Sequence, residues 1–198
     1  KRIKPVADYL WDNIFRKDAK EKELITRLKE NFLFELLSNK ELSFIEQIVH
    51  VRTYRANEVI FRQGEAGVGM YIIKKGNVDI YSAENIPGQE NQNETKVTSL
   101  SEGDFFGEIS LVEAGSRRTA TAATSTETEL IGFFRPDLIE LLERNPNIGA
   151  KVVFRLAEVL GRRLAETTDK ISLIKQELLR ISEKKRRKKD VQQSNSDS

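Results

Sequence analysis

The sequence predicts an α+β fold: a jelly-roll-like β-roll of short antiparallel strands, with N-terminal helices and a long C-terminal helix. Three observations predict it. Apolar residues keep helical spacing up to about residue 37, and from His50 the period shortens to that of strands broken by glycines. From Pro146 a heptad pattern runs on to Ile181.

Within residues 5–37, Leu10, Ile14 and Phe15 share one helical face, and Leu24, Ile25, Leu28, Phe32 and Leu36 follow at the same spacing. Ser43 or Asn39 is placed to cap a further short helical turn ending near Val49. VRTYR, EVIFRQG, GMYIIKKG and NVDIYSA are short, rich in β-branched and aromatic residues, and separated by Gly64, Gly67, Gly69 and Gly76, which suit tight connections. Residues 83–94 are polar, contain Pro-Gly and read as an exposed hairpin loop. KVTSL, RTATAATS and TELIGFF continue the strands.

Pro136 suits the first turn of a helix, PDLIELLERN. A second helix is expected from about Pro146 to about Lys185. Along it Val153, Ala157, Leu160, Leu164, Thr167, Ile171, Ile174, Leu178 and Ile181 alternate steps of four and three. The length past residue 165 favours a partner helix, most simply that of a second subunit, over packing on the chain's own β-roll. Lys170 and Lys175 would meet across such a seam without complementing each other, so charge does not specify the pairing strongly. The expected division is a helical extension at 1–29, the β-roll at 30–145, the dimerisation helix at 146–183, and a basic, polar, disordered tail at 184–198.

Composition excludes much chemistry. The chain has 198 residues, no cysteine and a single histidine, His50, so disulfides, thiolate metal sites and Ser/His/Asp or Cys/His catalysis have little to build on. No G-x-x-x-x-G-K-[ST] occurs, and the glycines at 64, 67 and 69 precede no helical pattern, so they read as turns. His50 reads as a strand-boundary residue and Trp11 as packing on the first helix. Neither a secretory peptide nor a transmembrane segment is expected, and a cytoplasmic location fits. The chain opens on Lys1, as a fragment or processed product would. The run KKRRKK carries six positive charges against a net +2 for the whole chain, so the remainder is net acidic and is no nucleic-acid surface.

Residues 105–123, FFGEISLVEAGSRRTATAA, hold the candidate site. A helical turn starting near Gly107 would point its unpaired amide hydrogens at an anion. A guanidinium could offer a phosphate two parallel hydrogen bonds. Glu108 would be repelled by that phosphate, but it could accept a hydrogen bond from a sugar hydroxyl. A ligand carrying phosphate and ribose together satisfies both.

This segment resembles the phosphate-binding cassette of cyclic nucleotide-binding domains, roughly F-G-E-x-[AS]-L, eight to ten residues, then R-[TSA]-A. The matching residues are Phe106, Gly107, Glu108, Ser110, Leu111, Arg118, Thr119 and Ala120. NEVIFRQGEAGVGMYIIKKGNVDIY is similar to the family's early strands, and the likeness covers roughly residues 30–168. The resemblance implies that Glu108 binds the ribose 2′-hydroxyl and Arg118 the cyclic phosphate. The backbone of Gly107, Glu108, Ile109 and Ser110, with the amide or hydroxyl of Thr119, would complete the cradle. Arg117 falls one residue out of the match and would face solvent. Threonine at 119 also resembles cassettes that accept cGMP, which leaves cAMP as first choice and cGMP as second. RRLAETTDK at 162–170 resembles the dimer helix of the family's catabolite-activator members, making Thr167 and Thr168 candidates for reading the base. A polar layer fixing coil register is the other reading of Thr167.

The expected function is therefore a non-enzymatic cyclic nucleotide sensor without metal or cofactor, a homodimer in which ligand binding rearranges the C-terminal helix. An unidentified protein partner would read the change. Sixteen residues follow Ser182, charged or polar apart from Val191, so no helix-turn-helix of the family's DNA-reading kind is expected. Two alternatives are a nucleotide-independent dimeric adaptor and a regulatory fragment of a longer channel or kinase.

Overall fold

The computed structural model describes residues 21–83 and 94–194, with side chains described through Glu183. Helix expectations for residues 5–20, the packing of Trp11 and most of the 83–94 loop lie outside the described residues. The chain divides into two compact units, the first ending at Arg155 and the second beginning at Leu156.

In the first unit α1 (21–30) stops short of the predicted residue 37, and residues 31–37 form turns. Asn31 breaks the helix. Its side-chain oxygen accepts from the Leu33 amide at 3.0 Å, and its amide nitrogen donates to the Gly103 carbonyl at 3.2 Å, drawing the backbone out of helical pairing. The buried residues are consequently Leu33, Phe34 and Leu37, while Leu36 is exposed. Helix α2 (Asn39–Ile48) is capped by Ser38 rather than by Ser43 or Asn39. Ser38 and Glu41 satisfy each other's backbone amides, a capping box legible as S-x-x-E.

Eight strands follow: β1 (His50–Tyr54), β2 (Val59–Phe61), β3 (Gly69–Lys75), β4 (Val78–Ala83), β5 (Glu94–Leu100), β6 (Phe105–Phe106), β7 (Thr121–Thr124) and β8 (Thr128–Phe134). They make two four-stranded antiparallel sheets, ordered β1-β8-β3-β6 and β2-β7-β4-β5, rather than a closed barrel. Tyr54, Ile73, Val78, Phe106, Ala122 and Leu130, drawn from both sheets, form the core between them. On β3 the alternate residues Met70, Ile72 and Lys74 are also buried, because helices cover the outer face of that sheet. There Phe34 meets Phe133 edge-on at 5.9 Å between centroids. Lys74, buried on the same face, is held charged by Glu129 at 2.8 Å and Glu23 of α1 at 3.3 Å. Burial pushes its pKa down, but these two carboxylates win and the net shift is upward.

Helix α3 (Ile109–Val112) is a single turn, and α4 (Arg135–Arg144) starts with Pro136 in its first turn, the Asp137 carboxylate accepting from the Phe134 amide at 2.9 Å. Helix α5 (Pro146–Ser194) opens within the first unit. Lys151 pairs with Glu41 at 2.6 Å, and Arg155 pairs with Glu35 and lies 3.6 Å over the Phe32 ring, pinning the start of α5 to the N-terminal segment.

The second unit is the rest of α5. It runs to Ser194, beyond the expected end near Lys185 and through most of the segment expected to be disordered. No glycine or proline follows Gly161, and Lys, Arg, Glu and Gln lose little rotamer freedom in a helix. The predicted seam residues Leu164, Ile171, Ile174, Leu178 and Ile181 are all exposed along this helix.

Candidate functional site

The cassette hangs from β6. Phe106 pairs with Tyr71 of β3, and at Gly107 the chain turns with φ of +79° into α3. It returns through residues 113–116 and is fastened to the 64–67 turn. Arg118 N–H donates to Glu65 O and Gly64 N–H to Arg118 O, both at 2.8 Å, and Gly67 N–H donates to Ser116 O at 2.9 Å. This pairing fixes the alternation of side chains. Arg117 points outward, exposed, donating to Gly64 O at 2.8 Å; Arg118 points inward and is 5% exposed.

The guanidinium of Arg118 is gripped along one side. Its Nη1 donates to Gly69 O at 2.7 Å, and more weakly to Ser110 Oγ at 3.3 Å and Gly107 O at 3.4 Å. The ring of Phe61 lies 4.0 Å from the guanidinium carbon and that of Tyr71 lies 5.8 Å away. The buried Nε has no hydrogen-bond partner among the described residues. Burial pushes the Arg118 pKa down, with Tyr71, Glu65 and Glu108 acting the other way. An arginine retains its proton under such a load. The site therefore holds a buried cation with a donor edge still to be satisfied, an arrangement suited to an anion.

Glu108, directly before α3, is 4% exposed, so the Glu108 and Arg118 side chains are not the surface ion pair that composition alone would suggest. Ser110 is buried and accepts from Ser116 Oγ at 3.1 Å, while its amide donates to Gly107 O at 3.2 Å. Ile109 and Thr119 are exposed. The structure thus brings Gly107, Glu108, Ser110 and Arg118 together. Thr167 and Thr168 lie in the second unit, both exposed, with their hydroxyls donating to the carbonyls of Arg163 at 2.7 Å and Leu164 at 2.9 Å. His50 opens β1, exposed, its Nε2 3.5 Å from the Asp137 carboxylate.

Two glycines read as turns do more than turn the chain. A side chain at Gly67 would overlap Ser110 Oγ, and Gly69 supplies the carbonyl that anchors Arg118. Phe61 was equally silent in the sequence, since nothing in EVIFRQG ties its ring to an arginine 57 positions away. Among the described residues no group of three or more His, Cys, Asp or Glu side chains could hold a metal, and no helix is long and apolar enough to cross a membrane.

Comparison with known proteins decides the family. Residues 51–145 match the model of the cyclic nucleotide-binding domain. Residues 51–145 form a domain of that family. The two-sheet fold with flanking helices is common to solved neighbours of that family. The Cyclic AMP receptor protein of Thermus thermophilus is 32% identical over 74% of this chain and 63% of its own length. The crystal structure of the Thermus thermophilus catabolite activator protein superposes with a TM-score of 0.63 at 30% identity, covering 73% of this chain and 63% of that one. A cyclic nucleotide-binding domain from Methylobacillus flagellatus reaches a TM-score of 0.64 at 25% identity, covering 78% of this chain and 83% of that one. The chain spans less than two thirds of the length of the Thermus relative and of the Thermus structure it matches.

Proposed function

We propose that this cyclic nucleotide-binding domain is a cAMP sensor, a regulatory module in which ligand binding rearranges the C-terminal helix. The observation that carries the reading is Arg118. Its Nη1 is spent on the Gly69 carbonyl, and its buried Nε has no acceptor among the described residues, so the Nε–Nη2 edge is left for two oxygens of a cyclic phosphate. A buried charged donor without a partner costs on the order of 1–3 kcal/mol or more, a cost the ligand removes. Glu108 accepts the ribose 2′-hydroxyl, and the backbone from Gly107 through Ile109 to Ser110, with Thr119, completes the phosphate cradle.

Thr167 and Thr168 are the candidates for the purine. Each hydroxyl already donates its hydrogen to a helix carbonyl, so each is free to accept. That favours the exocyclic amine of adenine over the carbonyl oxygen of guanine, which places cAMP ahead of cGMP. The exposed seam from Leu164 to Ile181 supports a homodimer through the second unit, since apolar side chains repeating at heptad spacing are otherwise left in water. A binding module in the cytoplasm, rather than an enzyme, is the role these features support.

Calorimetric titration of the chain with cAMP and cGMP tests this. Binding of cAMP is expected, weakened by about 2–5 kcal/mol in Arg118→Ala and by about 1.5–3 kcal/mol in Glu108→Ala, with Arg117→Ala little changed. No heat with either nucleotide, and no rise in melting temperature at saturation, would refute the reading and favour the adaptor.

A further inference from the structure

We propose that Phe61 positions Arg118 for the ligand's phosphate and thereby sets the affinity for cyclic nucleotides, an inference that rests on the reading of the site above. The guanidinium has one strong anchor, Nη1 on Gly69 O at 2.7 Å, its other two contacts being 3.3 Å or longer. A planar group held mainly at one corner can swing about it. The ring of Phe61, 4.0 Å from the guanidinium carbon, covers a flat face and removes that swing. The ring is itself wedged, 6.1 Å from Tyr71 and 5.8 Å from Phe106 between centroids, with Tyr71 and Phe106 stacked at 5.6 Å.

What distinguishes this support is that it uses none of the arginine's donors. A carboxylate in the place of Phe61 would also hold the guanidinium, but it would occupy the edge that the phosphate needs. An aliphatic side chain would fill the space without attracting the cation. The negative face of an aromatic ring attracts it from above, more strongly where water is excluded, and leaves the Nε–Nη2 edge open. Arg118 is buried enough for that strengthening to apply. Phe61 is thus a positioning residue that acts through Arg118.

The test combines nucleotide affinity with a ligand-independent signal. Phe61→Leu should weaken cAMP binding by about 3- to 10-fold, the worth of a partly desolvated cation–π contact, while Phe61→Tyr stays within about two-fold. Pentafluorophenylalanine at position 61 keeps the ring's shape and reverses its face potential, so it should match Phe61→Leu even where leucine impairs folding. In an Arg118→Gln background, which lacks the cation, the loss on Phe61→Leu should shrink below about two-fold. Equal losses in both backgrounds, or full affinity with the fluorinated ring, would overturn the inference and make Phe61 a nucleotide contact or mere packing. The Arg118 Nε–H resonance reports separately: a ring-current shift in the unliganded parent should fall in Phe61→Leu to the smaller share of the Tyr71 ring, and persist in Phe61→Tyr. If the parent binds no cyclic nucleotide, the reading of the site fails and the affinity role falls with it. The resonance then still decides whether Phe61 holds Arg118, and an unshifted signal overturns that half too.

Discussion

Alanine at Gly107 should cost about 2.5–5 kcal/mol of folding stability, from two separable causes. The backbone there has φ of +79°, a left-handed conformation that charges a residue with a β-carbon about 1–2 kcal/mol. The added β-carbon would also lie 2.5 Å from Nη1 of Arg118 and 3.2 Å from the Gly69 carbonyl oxygen. The nitrogen cannot retreat without lengthening its 2.7 Å bond to that oxygen, and a hydrogen bond from a charged donor is worth about 1.5–3 kcal/mol. Gly115 supplies the control. Its φ is +74°, but an added β-carbon meets nothing within 4 Å, so Gly115→Ala should lose only the backbone share of about 1–2 kcal/mol. Urea denaturation of the two variants at equal m-values measures the difference, and cAMP titration should show affinity falling at least about ten-fold in Gly107→Ala alone. Equal stability losses, with equal affinities, would mean that Gly107 does not make room for Arg118.

Thr167→Val should lower cAMP affinity modestly while leaving the dimer intact or tighter, because it restores an apolar seam position; unchanged affinity with an altered oligomer in light scattering would make the residue a register device instead. The Lys151 ammonium, together with the Ser38 amide, holds the Glu41 carboxyl at about 2, below its ordinary 4.5. The stabilisation from that depressed value is complete above about pH 4.5 and lost as pH falls through about 2. With Lys151 partly exposed, the pair is worth about 0.2–1 kcal/mol, so Lys151→Met should flatten the fall in urea midpoint between pH 5 and 3; an unchanged slope would assign the shift to the Ser38 cap alone.

The strands were legible because their periodicity is local: seven of the eight overlap the stretches picked out by β-branched and aromatic runs, β5 beginning two residues earlier, inside the segment read as a loop. The one missed, β6, has only two residues, Phe105 and Phe106, too few to show alternation, and it exists because β3 pairs with it. The helix breaks were harder. Asn31 ends α1 by reaching a carbonyl 72 positions away, and no window of neighbouring residues contains that partner. At the other end of the chain, KKRRKK was judged by its charge, whereas backbone propensity there favours helix.

The site divides along the same line. The cassette motif named Gly107, Glu108, Ser110 and Arg118, and the alternation of Arg117 outward and Arg118 inward followed from strand geometry before any coordinates. Which edge of the guanidinium is left unpaired did not follow. That depends on Gly69, 49 positions upstream, taking Nη1, and on Phe61 covering the face. Both belong to segments whose sequence signal was spent on turns and strands. The cassette is therefore half of a device: residues 107–118 supply the charge and the acid, and residues 61–69 fix the direction in which that charge is presented. On the proposed reading of the site, a change in the earlier segment should alter nucleotide affinity with the cassette motif fully intact. A chain that carries the motif but lacks a donor-free support for its arginine should bind more weakly than its motif suggests.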